Sequence, residues 1–114
     1  MADLFTTLDA LVESSSIVID RPRGSTHPHR EDVVYPVDYG YLEGTRAGDG
    51  DGIDVFRGSA AGAGVVGVTV SVDLGKRDAE VKVLLDCSPA DVDAIRALAV
   101  DRLDVGAIVL LREP

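Results

Sequence analysis

Aromatic side chains are scarce in this chain. It has no tryptophan, and its phenylalanines and tyrosines are Phe5, Phe56, Tyr35, Tyr39 and Tyr41. So few rings argue against a surface that stacks single-stranded bases. Positive charge is short as well: eleven Lys and Arg face twenty Asp and Glu, a formal net charge of −9. That balance argues against nucleic-acid duplexes and anionic membranes, both of which call for a basic face. With Cys87 as the single cysteine, no internal disulfide can form, which fits a reducing, cytoplasmic compartment. No apolar run is long enough to span a bilayer, and the first residues show no basic-then-apolar leader pattern.

What is present suits one compact domain over residues 1–114. Hydrophobic residues, mostly Val, Leu, Ile and Ala, make up 46% of the chain, enough for a core. Asp3 is a candidate cap for a first helix whose Leu4, Phe5, Leu8, Leu11 and Val12 share one face; Ser14–Ser16 end it. Ile17–Ile19 reads as a strand, 21–32 as a polar loop, and 33–42 as an extended stretch in which Pro36 marks an edge or a bend. Ile53–Phe56 is a strand. In 65–73, Val66, Val68, Val70 and Val72 alternate with Thr69, Ser71 and Asp73, the clearest strand pattern in the chain. Val81, Val83 and Leu85 form the apolar face of the next strand. Ser88-Pro89-Ala90-Asp91 is a helix start, with Ser88 as cap, Pro89 in the first turn and Asp91 near the positive end of the dipole; that helix is expected to run to about Val100. Ala107–Leu111 reads as a last strand. The buried-hydrophobe reading of Cys87 is favoured. Together these elements predict a mainly β, α+β domain with flanking helices and a small, partly closed barrel.

Carboxylates are concentrated in Asp49-Gly50-Asp51-Gly52-Ile53-Asp54, at a loop-to-strand junction, and Asp73 and Asp78 bracket a second turn. If the strands at Ile53 and Val65 are neighbours, their ends gather these groups around one cavity. Hard oxygen donors of this kind suit magnesium, or manganese. Two carboxylates 4 Å apart repel by about 4 kcal/mol at an effective dielectric near 20, so convergence implies cations or protonation. Read alone, Asp49–Asp54 fits a solvated Asp-Gly turn as well as a metal site. It does not fit a calcium EF-hand, because Ile53, Asp54 and Ala60 occupy positions that need other residues.

The ordered set Val18-Ile19-Asp20-Arg21-Pro22-Arg23-Gly24-Ser25, Tyr35-Pro36-Val37-Asp38-Tyr39-Gly40-Tyr41, Asp49-Gly50-Asp51-Gly52-Ile53-Asp54-Val55, then Asp73 and Asp78 resembles the soluble, barrel-type inorganic pyrophosphatases, of which this chain would be a shortened member. The resemblance implies an OB-like barrel, magnesium as cofactor and a homo-oligomer. It implies magnesium binding by Asp49, Asp54, Asp73 and Asp78, activation of the attacking water by Asp51, and substrate contacts from Tyr39 and Tyr35. Asp20 stands where the family has Glu and is a candidate extra metal or orienting carboxylate. Pyrophosphate is highly charged, so two metals that screen it and acidify a water, with a free carboxylate as base, make chemical sense of that layout.

The departures fall on the basic half of the family site. Between Ser25 and Tyr35 the chain lacks the family's hairpin of phosphate-binding groups; Pro28 stands where the family has Lys, Arg30 where it has Glu, and Glu80 where it has Lys. Lys82 lies one pleat further on the same face and is a candidate substitute. Arg23 is expected to join it at the substrate; Arg21, Arg30, Arg46, Lys76 and Arg77 are further candidates, each equally able to be an exposed surface charge. His27 and His29 read as solvated or capping residues that suit phosphate or a transition metal. Three functions follow: hydrolysis of inorganic pyrophosphate to two phosphates, a phosphohydrolase for a larger diphosphate, and a non-catalytic magnesium- or phosphate-binding module.

Overall fold

The structure, a computed structural model, describes residues 3–103 and 105–113. Helix α1 (Leu4–Glu13) begins where Asp3 accepts a hydrogen bond from the Thr6 N–H at 2.8 Å. Strands follow at β1 (Ile17–Arg21), β2 (Thr26–His27), β3 (Arg30–Val34), β4 (Asp38–Leu42), β5 (Ile53–Arg57), β6 (Val65–Asp73) and β7 (Asp78–Leu85). Helix α2 (Pro89–Ala97) carries the capping box: Ser88 accepts from the Asp91 N–H and Asp91 accepts from the Ser88 N–H. A π-helical turn (Leu98–Arg102) extends it, and β8 (Gly106–Leu111) ends the sheet.

Six strands form one sheet in the order β1-β4-β5-β7-β6-β8, with β5 and β7 parallel and every other pair antiparallel. The sheet is open. Its end strands, β1 and β8, do not pair with each other among the described residues, so the barrel expected from the sequence is not closed by hydrogen bonds. The mainly β architecture with flanking helices is as expected.

Each face of the sheet has its own apolar cluster. Leu42, Val55, Val65, Val83 and Leu85 pack under α1, against Phe5, Leu8, Leu11 and Val12. Phe56, Leu84 and Cys87 pack on the other face with Val92, Ile95 and Leu98, joined by Val33, Tyr35 and Val37. The period of two thus sorts β5 and β7 by residue: Val55 and Val83 to the α1 face, Phe56 and Leu84 to the α2 face. Cys87 is 5% exposed, and burial pushes its thiol pKa up to about 12, in keeping with a packing role.

Three local readings change. The extended stretch 33–42 is broken at Tyr35–Val37 into β3 and β4, where the Pro36 bend lies. A small hairpin, β2–β3, does stand between Ser25 and Tyr35; with only two residues in β2, no alternation announces it. In β6 a register shift between Val65 and Gly67 turns Val66 to the α2 side, while Val68, Val70 and Val72 pair with Val83, Val81 and Ala79 on the α1 side. The four valines therefore do not form one row, because a one-residue bulge exchanges the faces.

Candidate functional site

On the α2 face, one pleat beyond Phe56 and Leu84, the sheet turns polar. Asp54 precedes Val55 on β5, Lys82 and Glu80 precede Val83 on β7, and Tyr39 and Tyr41 share that face on β4. These side chains form the floor of a cleft of about 400 Å³. Its walls come from Asp20 and Arg21 at the end of β1, His27 and His29 on the β2–β3 hairpin, Asp49 and Asp51 on the loop before β5, and Lys76 on the β6–β7 turn.

The Asp49 loop is locally self-supporting. Asp49 accepts from the Asp51 N–H at 3.0 Å, Gly50 donates to the Ala47 carbonyl, and Gly50 has φ +90°, a conformation that favours glycine. The turn reading and the cleft reading hold together here: the Asx turn shapes the loop that lines the cleft with two carboxylates.

At the centre, Lys82 Nζ donates to Tyr39 Oη at 2.6 Å and to Asp54 Oδ2 at 3.0 Å, and lies 3.1 Å from Glu80 Oε2. Burial works against the Lys82 ammonium, but the Tyr39 hydroxyl and the Asp54 carboxylate outweigh it and raise its pKa, so it stays charged. Burial raises the Tyr39 pKa, so its hydroxyl stays protonated and remains a donor. Rings continue inward from the cleft: His27 stacks on Tyr35 (6.4 Å between centroids), Tyr35 on Tyr39 (5.2 Å), and Tyr39 tilts against Phe56 (4.9 Å).

Arg21 lies across the β1–β4 ladder from Tyr39. Its Nη1 donates to Tyr35 Oη at 2.5 Å, and its guanidinium sits 5.6 and 5.4 Å from the Tyr35 and Tyr39 ring centres. His27 accepts at Nδ1 from the His29 N–H at 3.1 Å, which leaves Nε2 to carry the proton of the neutral ring. Burial, with Arg21, His29, Arg30 and Lys76 around it, lowers the His27 pKa.

Of the residues singled out from the sequence, the cleft brings together Asp20, Tyr39, Asp49, Asp51, Asp54 and Lys82, with the further candidates Arg21, His27, His29 and Lys76. Tyr35 lies behind it, 3% exposed, with its hydroxyl turned to Arg21. Arg23 is exposed and does not line the cleft; its backbone N–H donates to Asp38. Asp73 and Asp78 face each other across the β6–β7 ladder and do not line the cleft either. The expectation placed the strands at Ile53 and Val65 side by side, but β7 lies between them. Asp78 is four residues from Lys82 along β7, about 13 Å at the rise of a strand. Asp73 caps its own turn, accepting from the Lys76 N–H. Two lining side chains carry no assignment from the sequence, Tyr41 and Glu80; each lies two positions from an assigned residue on the same strand, and that period of two is the signal that marks them.

The cleft holds carboxylates of the hard-oxygen type that magnesium takes, yet among the described residues no three His, Cys, Asp or Glu side chains stand close enough to hold an ion as a group. One or two carboxylates of this kind hold magnesium only in a shell completed by waters or other oxygen donors. The chain matches no protein-family model, and no curated protein matches its sequence.

Proposed function

We propose that this chain is a magnesium-dependent phosphohydrolase that splits inorganic pyrophosphate into two phosphates, on a reduced and open form of the pyrophosphatase barrel. The observation that carries the reading is the single cleft in which Asp49, Asp51 and Asp54 face the Lys82–Tyr39 pair and Arg21. Asp49 and Asp54, with Asp20 beside them, are the residues that would hold magnesium, which when bound would supply positive charge against the phosphate oxygens and acidify the attacking water. Asp51, exposed and without an ion-pair partner among the described residues, takes the proton of that water as its oxygen bonds to one phosphorus. The bridging P–O bond breaks and the second phosphate leaves. Tyr39 donates to a phosphate oxygen on the floor of the cleft, its hydroxyl positioned by the Lys82 ammonium.

Phosphate release from pyrophosphate with magnesium tests this. Asp51→Asn is expected to lower kcat by about 100-fold or more, the usual share of a general base. No release by the unmutated chain with magnesium or manganese would sink the reading. The separation of the carboxylates favours a second one, a module that binds magnesium and phosphate without turnover; tight binding with no release would establish it. The cleft of about 400 Å³ also leaves room for a larger diphosphate, so a substrate panel belongs in the same experiment.

Self-association is part of the proposal. Val72, Val81, Ile108 and Leu110 are about half exposed or more on the α1 face of β6, β7 and β8, an apolar stripe beside an unpaired edge strand that suits a second copy of this chain. Sedimentation as a monomer at tens of micromolar would remove it.

A further inference from the structure

Four cations among the described residues are partly buried: Arg21, Arg57, Lys82 and Arg112. Three have a carboxylate within 4 Å: Arg57 has Asp38, Lys82 has Asp54 and Glu80, and Arg112 has Asp9. Arg21 has none among the described residues, although the chain carries twenty carboxylates and Asp20 is its neighbour. A partly desolvated guanidinium gains most from an anion that accepts two of its hydrogen bonds at once. The protein instead holds it with the Tyr35 hydroxyl and two ring faces, contacts that fix the plane of the fork and leave its remaining N–H groups available in the cleft.

We propose that Arg21 is the residue that grips the anionic ligand, one terminal phosphate of a phosphoanhydride, with His27 and Lys76 completing the wall. This rests on the phosphohydrolase reading of the same cleft. Lys82 is poorly placed for the task, because serving the anion would cost it Asp54 and Glu80. Arg23, Arg46 and Arg77, which have no ion-pair partner among the described residues, are exposed and lie outside the cleft. Lys76 and the neutral His27 line the same cleft from two other elements, so the wall is assembled from β1, the β2–β3 hairpin and the β6–β7 turn. A hairpin is thus present in miniature between Ser25 and Tyr35, and a strand-end arginine stands in place of basic hairpin side chains.

The test is calorimetric binding of methylenediphosphonate, a diphosphate with a carbon bridge that cannot be hydrolysed, in the presence of magnesium. Arg21→Gln is expected to weaken binding by about 10- to 100-fold, the worth of a lost hydrogen-bonded charge. Arg21→Lys, which keeps the charge and loses the fork, should fall between, and Tyr35→Phe, which frees the guanidinium from its anchor, should weaken binding several-fold. Arg96→Gln, on the exposed side of α2 and paired with Asp93, should leave binding unchanged. Circular dichroism checks the fold of each variant, and if Arg21→Gln does not fold, Arg21→Lys and Tyr35→Phe decide. Binding by the unmutated chain that none of the Arg21 and Tyr35 variants weakens would overturn this assignment and leave the phosphohydrolase reading standing. No binding and no pyrophosphate turnover by the unmutated chain would overturn both.

Discussion

Replacing Lys82 with methionine keeps most of the side-chain volume and removes the ammonium that joins Asp54, Glu80 and Tyr39. The side chains of Lys82, Asp54 and Glu80 are 18%, 29% and 23% exposed, so the pairs are neither fully buried nor screened like surface pairs. Breaking a buried pair costs roughly 3–5 kcal/mol because a charge is left uncompensated, whereas surface pairs are worth about 1 kcal/mol or less. An intermediate loss of about 2–3 kcal/mol is therefore expected, a large part of the roughly 5–15 kcal/mol of a small domain. Urea unfolding followed by far-ultraviolet circular dichroism measures it. The same substitution leaves five lining carboxylates, Asp20, Asp49, Asp51, Asp54 and Glu80, opposed only by Arg21 and Lys76. On the proposed function, magnesium would then no longer compete with an ammonium for Asp54 and should bind the variant more tightly than the unmutated protein. At 100 times its Kd it adds about 2.7 kcal/mol, enough to recover the loss. A variant that loses less than about 0.5 kcal/mol, the range of neutral surface changes, would refute the account of the centre. Equal stabilisation of variant and unmutated protein by magnesium would refute the competition for Asp54.

Two further outcomes test the frame around the cleft. A Cβ on Gly40 would lie 1.8 Å from the Val18 carbonyl oxygen and 2.8 Å from Ile19 Cα, both backbone, so Gly40→Ala must part β1 from β4 and should cost about 4 kcal/mol or more in urea unfolding; Gly48→Ala, with open space around it, should stay within about 0.5 kcal/mol. Burial opposes ionisation of Asp91, but bonds from the Ser59 and Ser88 N–H groups win and lower its pKa from 3.8 to about 2. A lowered folded-state pKa gives stability that is fully present above the unfolded value and is lost as pH falls. The stability gap between the unmutated protein and Asp91→Asn should therefore be constant above about pH 5 and narrow between pH 4 and 2; a gap independent of pH would show that the carboxylate charge does not anchor α2 to the Ser59 loop.

The local signals in the sequence describe elements better than their neighbours. Asp3 and the Ser88-Pro89-Asp91 start mark both helices because a cap is a contact between residues three apart. The bounds of β6 and the turn after it are equally local. The bulge at Val65–Gly67 was hidden because four valines alternate just as well with or without one residue of slip. Strand order is not local at all: β7 lies between β5 and β6, which puts Asp73 a strand further from Asp54, while Asp78 stands four residues along β7 from the Lys82 that pairs with Asp54. For the same reason spacing alone kept Asp49, Asp51 and Asp54 together but could not tell Arg21 from Arg23. Two positions apart in sequence, one ends a strand against Tyr39 and the other is exposed past the strand end.

The scarcity of rings acquires a purpose at this point. Tyr35, Tyr39 and Phe56 form one continuous stack from the His27 wall of the cleft to the core beneath α2. Aromatic side chains have few rotamers to lose, so a stack of them is a stiff floor. The two cations that matter most stand on it: Lys82 at 4.9 Å from the Tyr39 centre and Arg21 at 5.4 Å. Both are long side chains that lose about 2 kcal/mol of rotamer entropy when fixed, a cost that falls on ligand binding if it is not met in the free protein. The Tyr39 ring, its hydroxyl and the Tyr35 hydroxyl meet it in advance. A chain that spends three of its five Phe and Tyr residues under one small cleft, and leaves the guanidinium above them without a carboxylate among the described residues, has the construction expected of the proposed anion site.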